Sequence, residues 1–285
     1  MYLSKNNLDI FEKEGVLLLE FILSAIEVKK LRDECSRLAV SESDDSYVEE
    51  DTKHPRALLG VTKKSKIFDN ISKSSLFLPI AKQILKTSNV YLHQAKVNMK
   101  APFRGRSWAW HQDYATWGPI DNCPSDNMLN IFLFLDDITE LSGCLYVINR
   151  SHKEGVLSGQ WEGDVAYPLF STADDIVSKL FNNGVTPLVG AAGTIALVHP
   201  SSVHGSNVNL SPKSRWLVHF GYNRCDNHPT KINYDRKDVQ ANRDFTPLKE
   251  LKESLCYLQK KLTLIVMMMR YLKSLQKLLT GLLGL

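Results

Sequence analysis

The stretch that decides the fold of this 285-residue chain reads Trp-His-Gln-Asp-Tyr at residues 110–114. It places His111 and Asp113 two positions apart, beside a run of apolar residues. On an extended strand, residues two apart leave the same face, so we expect both side chains to point to one side. A histidine and a carboxylate are two of the three ligands of a non-haem Fe(II) site. A surface strand with one hydrogen-bonded histidine is the competing interpretation, because such triplets are common.

A second segment, Val-His-Gly-Ser at 203–206, offers the third ligand. His204 lies far along the chain from the first pair, and Arg215 follows it by eleven residues at the head of an apolar run. A metal-bound co-substrate with a distal carboxylate needs a positively charged fork nearby, and a guanidinium group provides one. The four residues together predict a catalytic iron centre beside an anion-binding arginine, and chance coincidence becomes the lesser interpretation.

Short runs with strand character surround both segments. We predict strands at 90–99, 108–111, 128–135, 144–148, 194–199 and 216–222, separated by turn signals such as Pro-Phe-Arg-Gly at 102–105. No regular helical pattern alternates with these runs. They therefore predict a mainly β sandwich or barrel with helices outside it.

The first 90 residues are expected to provide flanking helices. Residues 15–20 read as a short entry strand, and Ser-Ala-Ile-Glu at 24–27 fits a capping box that opens a helix with Val28, Leu31 and Cys35 on one face. A second helix is predicted over 76–86. The acidic, serine-rich stretch 41–51 reads as a mobile loop.

Composition excludes several classes of protein. With 44% hydrophobic and 23% charged residues, the chain is not a disordered protein. Its five cysteines are never spaced as Cys-x-x-Cys, which argues against a disulfide scaffold or a zinc ribbon and favours a reducing compartment. The N-terminus lacks a signal sequence, and the apolar run 264–269 is too short to span a bilayer. We therefore expect a cytoplasmic protein without a transmembrane segment.

The net charge of +4 is unevenly distributed. Residues 249–285 carry seven basic and two acidic side chains, so the preceding body is nearly neutral. A nucleic-acid binder would show a basic stripe across its folded domain, so nucleic acid is not expected as a partner.

The chain resembles the phytanoyl-CoA dioxygenase superfamily of iron- and 2-oxoglutarate-dependent oxygenases. Within it, the likeness to free-amino-acid hydroxylases of the proline 4-hydroxylase type exceeds the likeness to ectoine hydroxylase. The resemblance covers residues 8–248 and is carried by collinear segments at 90–102, 110–117, 203–206, 222–227 and 241–248. It implies a double-stranded β-helix, a cupin-like jelly roll, with residues 1–248 as the dioxygenase domain. Residues 249–285 would form a helical, Leu- and Lys-rich extension.

The resemblance also assigns roles to residues. It implies that His111, Asp113 and His204 bind the iron and that Arg215 and Ser206 meet the far carboxylate of 2-oxoglutarate. It places further residues around the pocket, where core packing is the competing interpretation: Gln94 and Asn98 on the co-substrate side, and Trp108, Tyr114, Trp117 and Arg236 on the substrate side. The remaining histidines at 93, 152 and 199 are expected to be structural. His219 stands where ectoine hydroxylase has an aromatic residue, which argues against ectoine as substrate, and the loop that begins at Cys123 departs from the family pattern.

The activity implied needs Fe(II), 2-oxoglutarate and O₂. It oxidises an unactivated C–H bond of a small amino acid or amino-acid-derived acid and releases succinate and CO₂. Hydroxylation is the default outcome, and oxidative ring closure of an N-substituted glutamate is the alternative. Asp113 argues against halogenation. A catalytically inactive jelly-roll binding protein is a further alternative, which the complete ligand set disfavours. The C-terminal extension is interpreted as a solvent-facing or self-associating helix, with a membrane-surface helix as the other interpretation.

Overall fold

The computed structural model of the protein describes residues 1–20, 22–40, 46–49, 54–162 and 169–251. Seven α-helices are described: α1 (Lys5–Glu14), α2 (Ala25–Val40), α3 (Val61–Lys64), α4 (Lys66–Ser72), α5 (Leu78–Ile84), α6 (Tyr114–Trp117) and α7 (Asp174–Leu180). The described strands are β1 (Val16–Leu19), β2 (Ser46–Val48), β3 (Pro55–Leu59), β4 (Val90–Lys100), β5 (Trp108–His111), β6 (Met128–Phe134), β7 (Leu145–Ile148), β8 (Gly159–Glu162), β9 (Leu169–Thr172), β10 (Val185–Pro187), β11 (Ile195–Val198), β12 (His204–Ser206) and β13 (Arg215–Arg224).

The strands form two sheets in which neighbouring strands are antiparallel. The larger sheet has the order β1-β11-β6-β13-β4-β3-β2, and the smaller has the order β10-β7-β12-β5-β9-β8. Strands distant in sequence are neighbours in both sheets, and one cavity is lined by side chains from both. The fold is the double-stranded β-helix that the resemblance implied.

The central strands of the larger sheet separate an apolar face from a polar one. On β4, Ala95 and Val97 join the hydrophobic cluster that also contains the helical residues Leu31 and Phe77. The alternate residues of β4 point the other way, as the two-residue period of a strand requires. Gln94, Lys96 and Asn98 therefore form a row of polar side chains that lines the cavity.

Helices cover the outer face of this sheet. The predicted capping box at the start of α2 is confirmed, because the side chains of Ser24 and Glu27 bond to each other and to each other's backbone N–H groups. The predicted second helix is confirmed in shorter form as α5. The sequence analysis did not identify α1, which begins after the N-cap Ser4 and ends at Gly15.

The predicted entry strand and the six further predicted strands are confirmed, with end points that shift by at most a few residues. Strands β2, β3, β8, β9, β10 and β12 were not predicted. Within the stretch 41–51, the loop interpretation is wrong for Ser46–Val48, which pairs with β3. Residues 41–45, 50–51 and 252–285 lie outside the described residues, so the predicted C-terminal helix lies there too.

Among the described residues, no helix has the length and apolar character needed to cross a membrane. The four described cysteines, at 35, 123, 144 and 225, are free thiols.

Candidate active site

The two histidines of the predicted iron site face each other across a strand pair. His111 ends β5 and His204 begins β12, in direct register, with ring centroids 4.2 Å apart. The Nδ1 of His111 donates to the carbonyl of Ala109 at 2.7 Å, and the Nδ1 of His204 donates to the carbonyl of Ser202 at 3.0 Å. Both rings therefore direct an unprotonated Nε2 away from the backbone, as metal-binding histidines do. Burial, and then the neighbouring His204, lowers the pKa of His111 to about 3, so its ring is neutral.

Asp113 reaches the histidines by a route that the sequence analysis did not foresee. The expectation that His111 and Asp113 leave one face of a single strand is wrong, since β5 ends at His111 and Asp113 has helical dihedrals (φ −61°, ψ −37°) at the start of α6. The turn into the helix brings the carboxylate to the ring nitrogens. Its Oδ1 lies 3.9 Å from the Nε2 of His111, and its Oδ2 lies 3.7 Å from the Nε2 of His204.

An asparagine holds the carboxylate in place. Asn130 on β6 is fully buried and donates from Nδ2 to the Oδ2 of Asp113 at 2.7 Å, while its Oδ1 bonds to the Nε2 of His219 at 2.8 Å. Burial raises the pKa of Asp113, but its interactions with His204, then with His219 and Lys96, outweigh this effect, so the pKa lies well below its ordinary value. The carboxylate is therefore ionised. Sequence reasoning missed Asn130, because an asparagine in a strand carries no spacing signal.

The donor set fits a non-haem iron. The ligand atoms of His111, Asp113 and His204 all lie within 4.8 Å of one another, and in the described part of the chain no other group of three such residues does. Two neutral imidazole nitrogens and one carboxylate oxygen that converge on a point form the facial ligand set of Fe(II) oxygenases, which leaves coordination positions open.

The cavity beside this triad is lined by both sheets. Of the residues that the sequence analysis placed around the pocket, six line it: Gln94, Asn98, Trp108, Trp117, Ser206 and Arg236. Arg215 is not among the lining residues, and neither is Tyr114. Tyr114 packs against Trp117 and donates from its hydroxyl to the carbonyl of Cys123 at 3.1 Å, so it supports the pocket wall. Sequence reasoning missed the lining residues Lys96, Phe132 and Gln240, and it did not place His219 in the cavity.

Two of the lining residues already bond to other residues of the protein. Gln94 donates from Nε2 to the carbonyl of Gln240 at 2.7 Å, which ties the C-terminal segment across β4. Arg236 donates from Nε to Asp121 at 2.9 Å, and the same carboxylate contacts His93 at 3.0 Å. His93 is therefore part of a buried polar network and holds no metal-site position, in line with its expected structural role.

Trp117 depends on a glycine opposite it. The indole is buried and its ring edge approaches Gly221 on β13, where a Cβ atom would lie 3.0 Å from Cη2. Any larger residue at 221 would press on the indole. The pair therefore fixes the aromatic wall of the cavity.

Arg215 is fully buried at the start of β13, and only some of its N–H groups make hydrogen bonds. Its Nε and Nη2 donate to the carbonyl of Gly143 at 3.1 and 2.7 Å, whereas its Nη1 has no partner among the described residues. Gly143 has a φ of +72°, and a Cβ there would lie 2.6 Å from the carbonyl oxygen of Asn207, so glycine is required. Burial lowers the pKa of Arg215 to about 10, which leaves it charged at neutral pH. A buried charged donor without a partner fits an anionic ligand.

A second buried basic side chain lies within electrostatic range of Arg215. Lys100, at the end of β4, is 1% exposed and donates from Nζ to the Oγ of Ser206 at 2.8 Å and to the carbonyl of Asn207. Burial, followed by the charges of Arg215 and Arg56, lowers the pKa of Lys100 to about 5. Ser206 is thus bonded to one basic side chain and lies near another. Sequence reasoning missed Lys100, because nothing in its spacing distinguishes it from a surface lysine.

Comparison with known proteins identifies the family. The sequence profile of the phytanoyl-CoA dioxygenase family matches residues 11–216. The chain belongs to the phytanoyl-CoA dioxygenase family. It is 32% identical over 250 residues to an L-proline trans-4-hydroxylase from Streptomyces griseoviridis, covering 84% of this chain and 92% of that protein. It is 29% identical over 259 residues to an ectoine dioxygenase from Nocardia farcinica, covering 85% of this chain and 86% of that protein.

Solved structures agree with this assignment. The crystal structure of EctD from S. alaskensis with 2-oxoglutarate and 5-hydroxyectoine matches with a TM-score of 0.77 and 25% identity over 87% of each chain. The carbocyclase SnoK from nogalamycin biosynthesis has a TM-score of 0.63 at 17% identity, over 88% of this chain and 94% of that one, which is a likeness of fold. The protein is thus a non-haem iron oxygenase that depends on 2-oxoglutarate, as the phytanoyl-CoA dioxygenase family membership and the ligand geometry indicate.

Proposed function

We propose that this oxygenase hydroxylates a small, proline-like amino acid or a carboxylic acid derived from one. The observation that carries the proposal is the polar row on β4, where Lys96 faces the cavity between Gln94 and Asn98. A buried ammonium group in a cavity of this kind favours an anionic ligand group. The similarity to a proline hydroxylase and to ectoine dioxygenases supports a small amino acid as that ligand.

The co-substrate would occupy the compartment around Ser206. In this proposal, the far carboxylate of 2-oxoglutarate bonds to the Nη1 of Arg215 and to the Ser206 hydroxyl, with Lys100 beside it. His111, Asp113 and His204 would hold the iron. When bound, the iron supplies the activation of O₂, coupled to the oxidative decarboxylation of 2-oxoglutarate to succinate and CO₂.

The protein's own residues bind and orient the substrate. Lys96 and Arg236 provide positive charge for a substrate carboxylate, and Trp117 and Phe132 provide apolar walls. Arg236, which also bonds to Asp121, and Lys96 would share the carboxylate binding. The aromatic walls keep water from the reacting C–H bond, which limits unproductive oxidation.

Release of succinate upon substrate addition tests the proposal. The purified protein is incubated with Fe(II), 2-oxoglutarate and O₂ and with a panel of proline-like acids, N-substituted glutamates and ectoine. We expect a proline-like acid to stimulate succinate release and to gain one oxygen atom. A product that instead loses two hydrogen atoms would identify ring closure, and no stimulation by any amino acid would contradict the proposal.

Two variants test whether Lys96 binds the carboxylate of the substrate. Lys96→Met should raise the KM for the acid while the KM for 2-oxoglutarate stays nearly constant, because in this proposal only the substrate carboxylate binds beside Lys96. Lys29→Met is the control, since Lys29 lies on the exposed face of α2 in a surface pair with Asp33. Equal effects of both substitutions would contradict the role of Lys96.

A further inference from the structure

His219 has the features of a residue that recognises the substrate. It lies on β13, is fully buried, and lines the same cavity as the iron ligands. Its ring stacks on Phe132 at a centroid distance of 4.6 Å and lies nearly parallel to Trp117 at 6.1 Å. The ring is thus held rigidly between two aromatic walls of the substrate cavity.

The hydrogen bonds of His219 determine which nitrogen carries its proton. The Nδ2 of Asn130 donates to the Oδ2 of Asp113 at 2.7 Å, so the amide oxygen is the atom of Asn130 that remains for His219. The amide oxygen of Asn130 then faces the Nε2 of His219, which must donate. Burial, and then the charge of Lys96, holds the pKa of His219 well below its ordinary value, so the ring is neutral. A neutral ring protonated on Nε2 has an unprotonated, accepting Nδ1.

Among the described residues, this acceptor has no hydrogen-bond donor. Nδ1 of His219 is buried and makes no hydrogen bond to any described residue. Buried polar atoms almost always have a hydrogen-bond partner, and an unsatisfied one destabilises the structure. Because the ring lies in the substrate cavity, the missing donor is expected on a bound ligand.

The surroundings indicate what kind of donor this is. Lys96 lies directly opposite His219 in the β4–β13 register, and Asn98, one pair further along the same face, also has a buried oxygen (Oδ1) without a partner. Two acceptors close to a cationic side chain complement a ligand that carries N–H groups next to a carboxylate. That arrangement is the α-amino acid group, whereas a plain carboxylic acid would leave both acceptors unsatisfied.

We propose that the Nδ1 of His219 accepts a hydrogen bond from an N–H group of the substrate, and that the enzyme thereby selects acids that carry a nitrogen donor beside the carboxylate. The inference rests on the proposed function and makes it more specific. Because the Nε2 of the same ring bonds through Asn130 to Asp113, the residue that recognises the amine also supports an iron ligand.

Matched ligands test the inference without turnover. The Fe(II)·2-oxoglutarate enzyme is titrated anaerobically, and binding is read from the change in the metal-to-ligand charge-transfer band. Proline is compared with tetrahydrofuran-2-carboxylate, which keeps the ring and the carboxylate and replaces the N–H group with an oxygen. We expect the wild-type protein to bind proline about 10- to 100-fold more tightly, the range that one buried, otherwise unsatisfied acceptor provides.

Variants at position 219 test whether His219 causes the preference for proline. His219→Phe keeps the stacked ring but has no acceptor, so the preference for proline should disappear. His219→Gln can donate to Asn130 and accept from the substrate with its two amide atoms, so it should recover part of the preference. His152→Phe is the matched control, because His152 also has a buried Nδ1 without a partner but does not line the cavity.

The outcomes separate this inference from the proposed function. If proline binds the wild-type protein and the Phe variant keeps the full preference, only the inference about His219 is overturned. If the Phe variant no longer forms the charge-transfer band, the test uses the Gln variant instead. A Gln variant that binds 2-oxoglutarate but shows no preference for proline over tetrahydrofuran-2-carboxylate overturns the inference. If no amino acid of the panel binds the wild-type complex although 2-oxoglutarate does, the proposed function and this inference both fail.

Discussion

The most informative perturbation of this protein is the replacement of Arg215 by methionine. The guanidinium group uses Nε and Nη2 for the carbonyl of Gly143 and has an unpartnered Nη1 in a fully buried position. Methionine keeps the apolar volume of the arginine stem and removes the charge. Loss of one partner from a buried charge pair costs roughly 3–5 kcal/mol. At about 1.4 kcal/mol per factor of ten, the Kd for 2-oxoglutarate should rise about 100- to 5000-fold.

A ligand without the distal carboxylate separates binding from folding. We expect 2-oxopentanoate, which has the same chain length but ends in a methyl group, to bind the Met variant and the wild-type protein about equally. Both 2-oxo acids are titrated anaerobically into the Fe(II) enzyme, with the charge-transfer band as the signal. Arg215→Lys should bind 2-oxoglutarate with intermediate affinity, because lysine restores the charge but not the planar fork.

Arg224→Met is the control for this series. Arg224 ends the same strand and pairs with Asp226 at the surface, so its removal should leave both affinities unchanged. If Arg215→Met weakens 2-oxoglutarate and 2-oxopentanoate by the same factor, the arginine stabilises the fold of the site and does not bind the carboxylate. An unchanged Kd for 2-oxoglutarate would refute the assignment outright.

Four further predictions follow from the site. His111→Ala and His204→Ala should each abolish iron retention and turnover, which metal analysis after gel filtration checks, and a variant with full iron content would contradict the ligand assignment. Asn130→Leu should weaken Fe(II) binding about 10- to 100-fold, as loss of a hydrogen bond to a metal ligand does, and an iron Kd equal to that of the wild type would show that Asp113 needs no support. Because burial lowers the pKa of Lys100 to about 5, its amine is neutral at pH 7 and a carboxylate bound beside it raises that pKa. Binding of 2-oxoglutarate should therefore take up a proton and tighten as the pH falls toward 5, which calorimetry in buffers of different ionisation enthalpy measures, and Lys100→Met should abolish the uptake. A chain truncated after residue 250 should keep its activity per bound iron, and a fall of more than about tenfold, or roughly 1.4 kcal/mol of barrier, would show that the C-terminal extension reaches the site.

The β architecture could be predicted because its long strands carry clear signals. Strands β4, β6 and β13 consist of apolar and β-branched residues bounded by turn sequences, and the structure places them where the sequence analysis did. The helix α1 and the three-residue strands were missed because polar helices and very short strands lack a readable period. Their formation depends on caps and partners such as Gly15 and Val147.

The iron ligands were predicted for a reason that is partly wrong. The spacing of His111 and Asp113 predicted a shared strand face, whereas a turn into α6 brings the carboxylate to the histidines. The prediction of these three ligands does not depend on the strand face, because a facial site requires those residue types whatever backbone carries them.

What the sequence by itself determined is the set of reactive groups: His111, Asp113, His204 and Arg215, with the β framework that carries them. What only the tertiary structure decided is how each group is paired. Lys100 and Asn130 read as an ordinary lysine and an ordinary asparagine until the fold buries them beside Ser206 and Asp113. Which nitrogen of His219 accepts a hydrogen bond depends on a chain of partners that comes from three separate segments. The physical reason is that burial and hydrogen-bond geometry arise from contacts between residues distant in sequence, and they set protonation, tautomer and pKa.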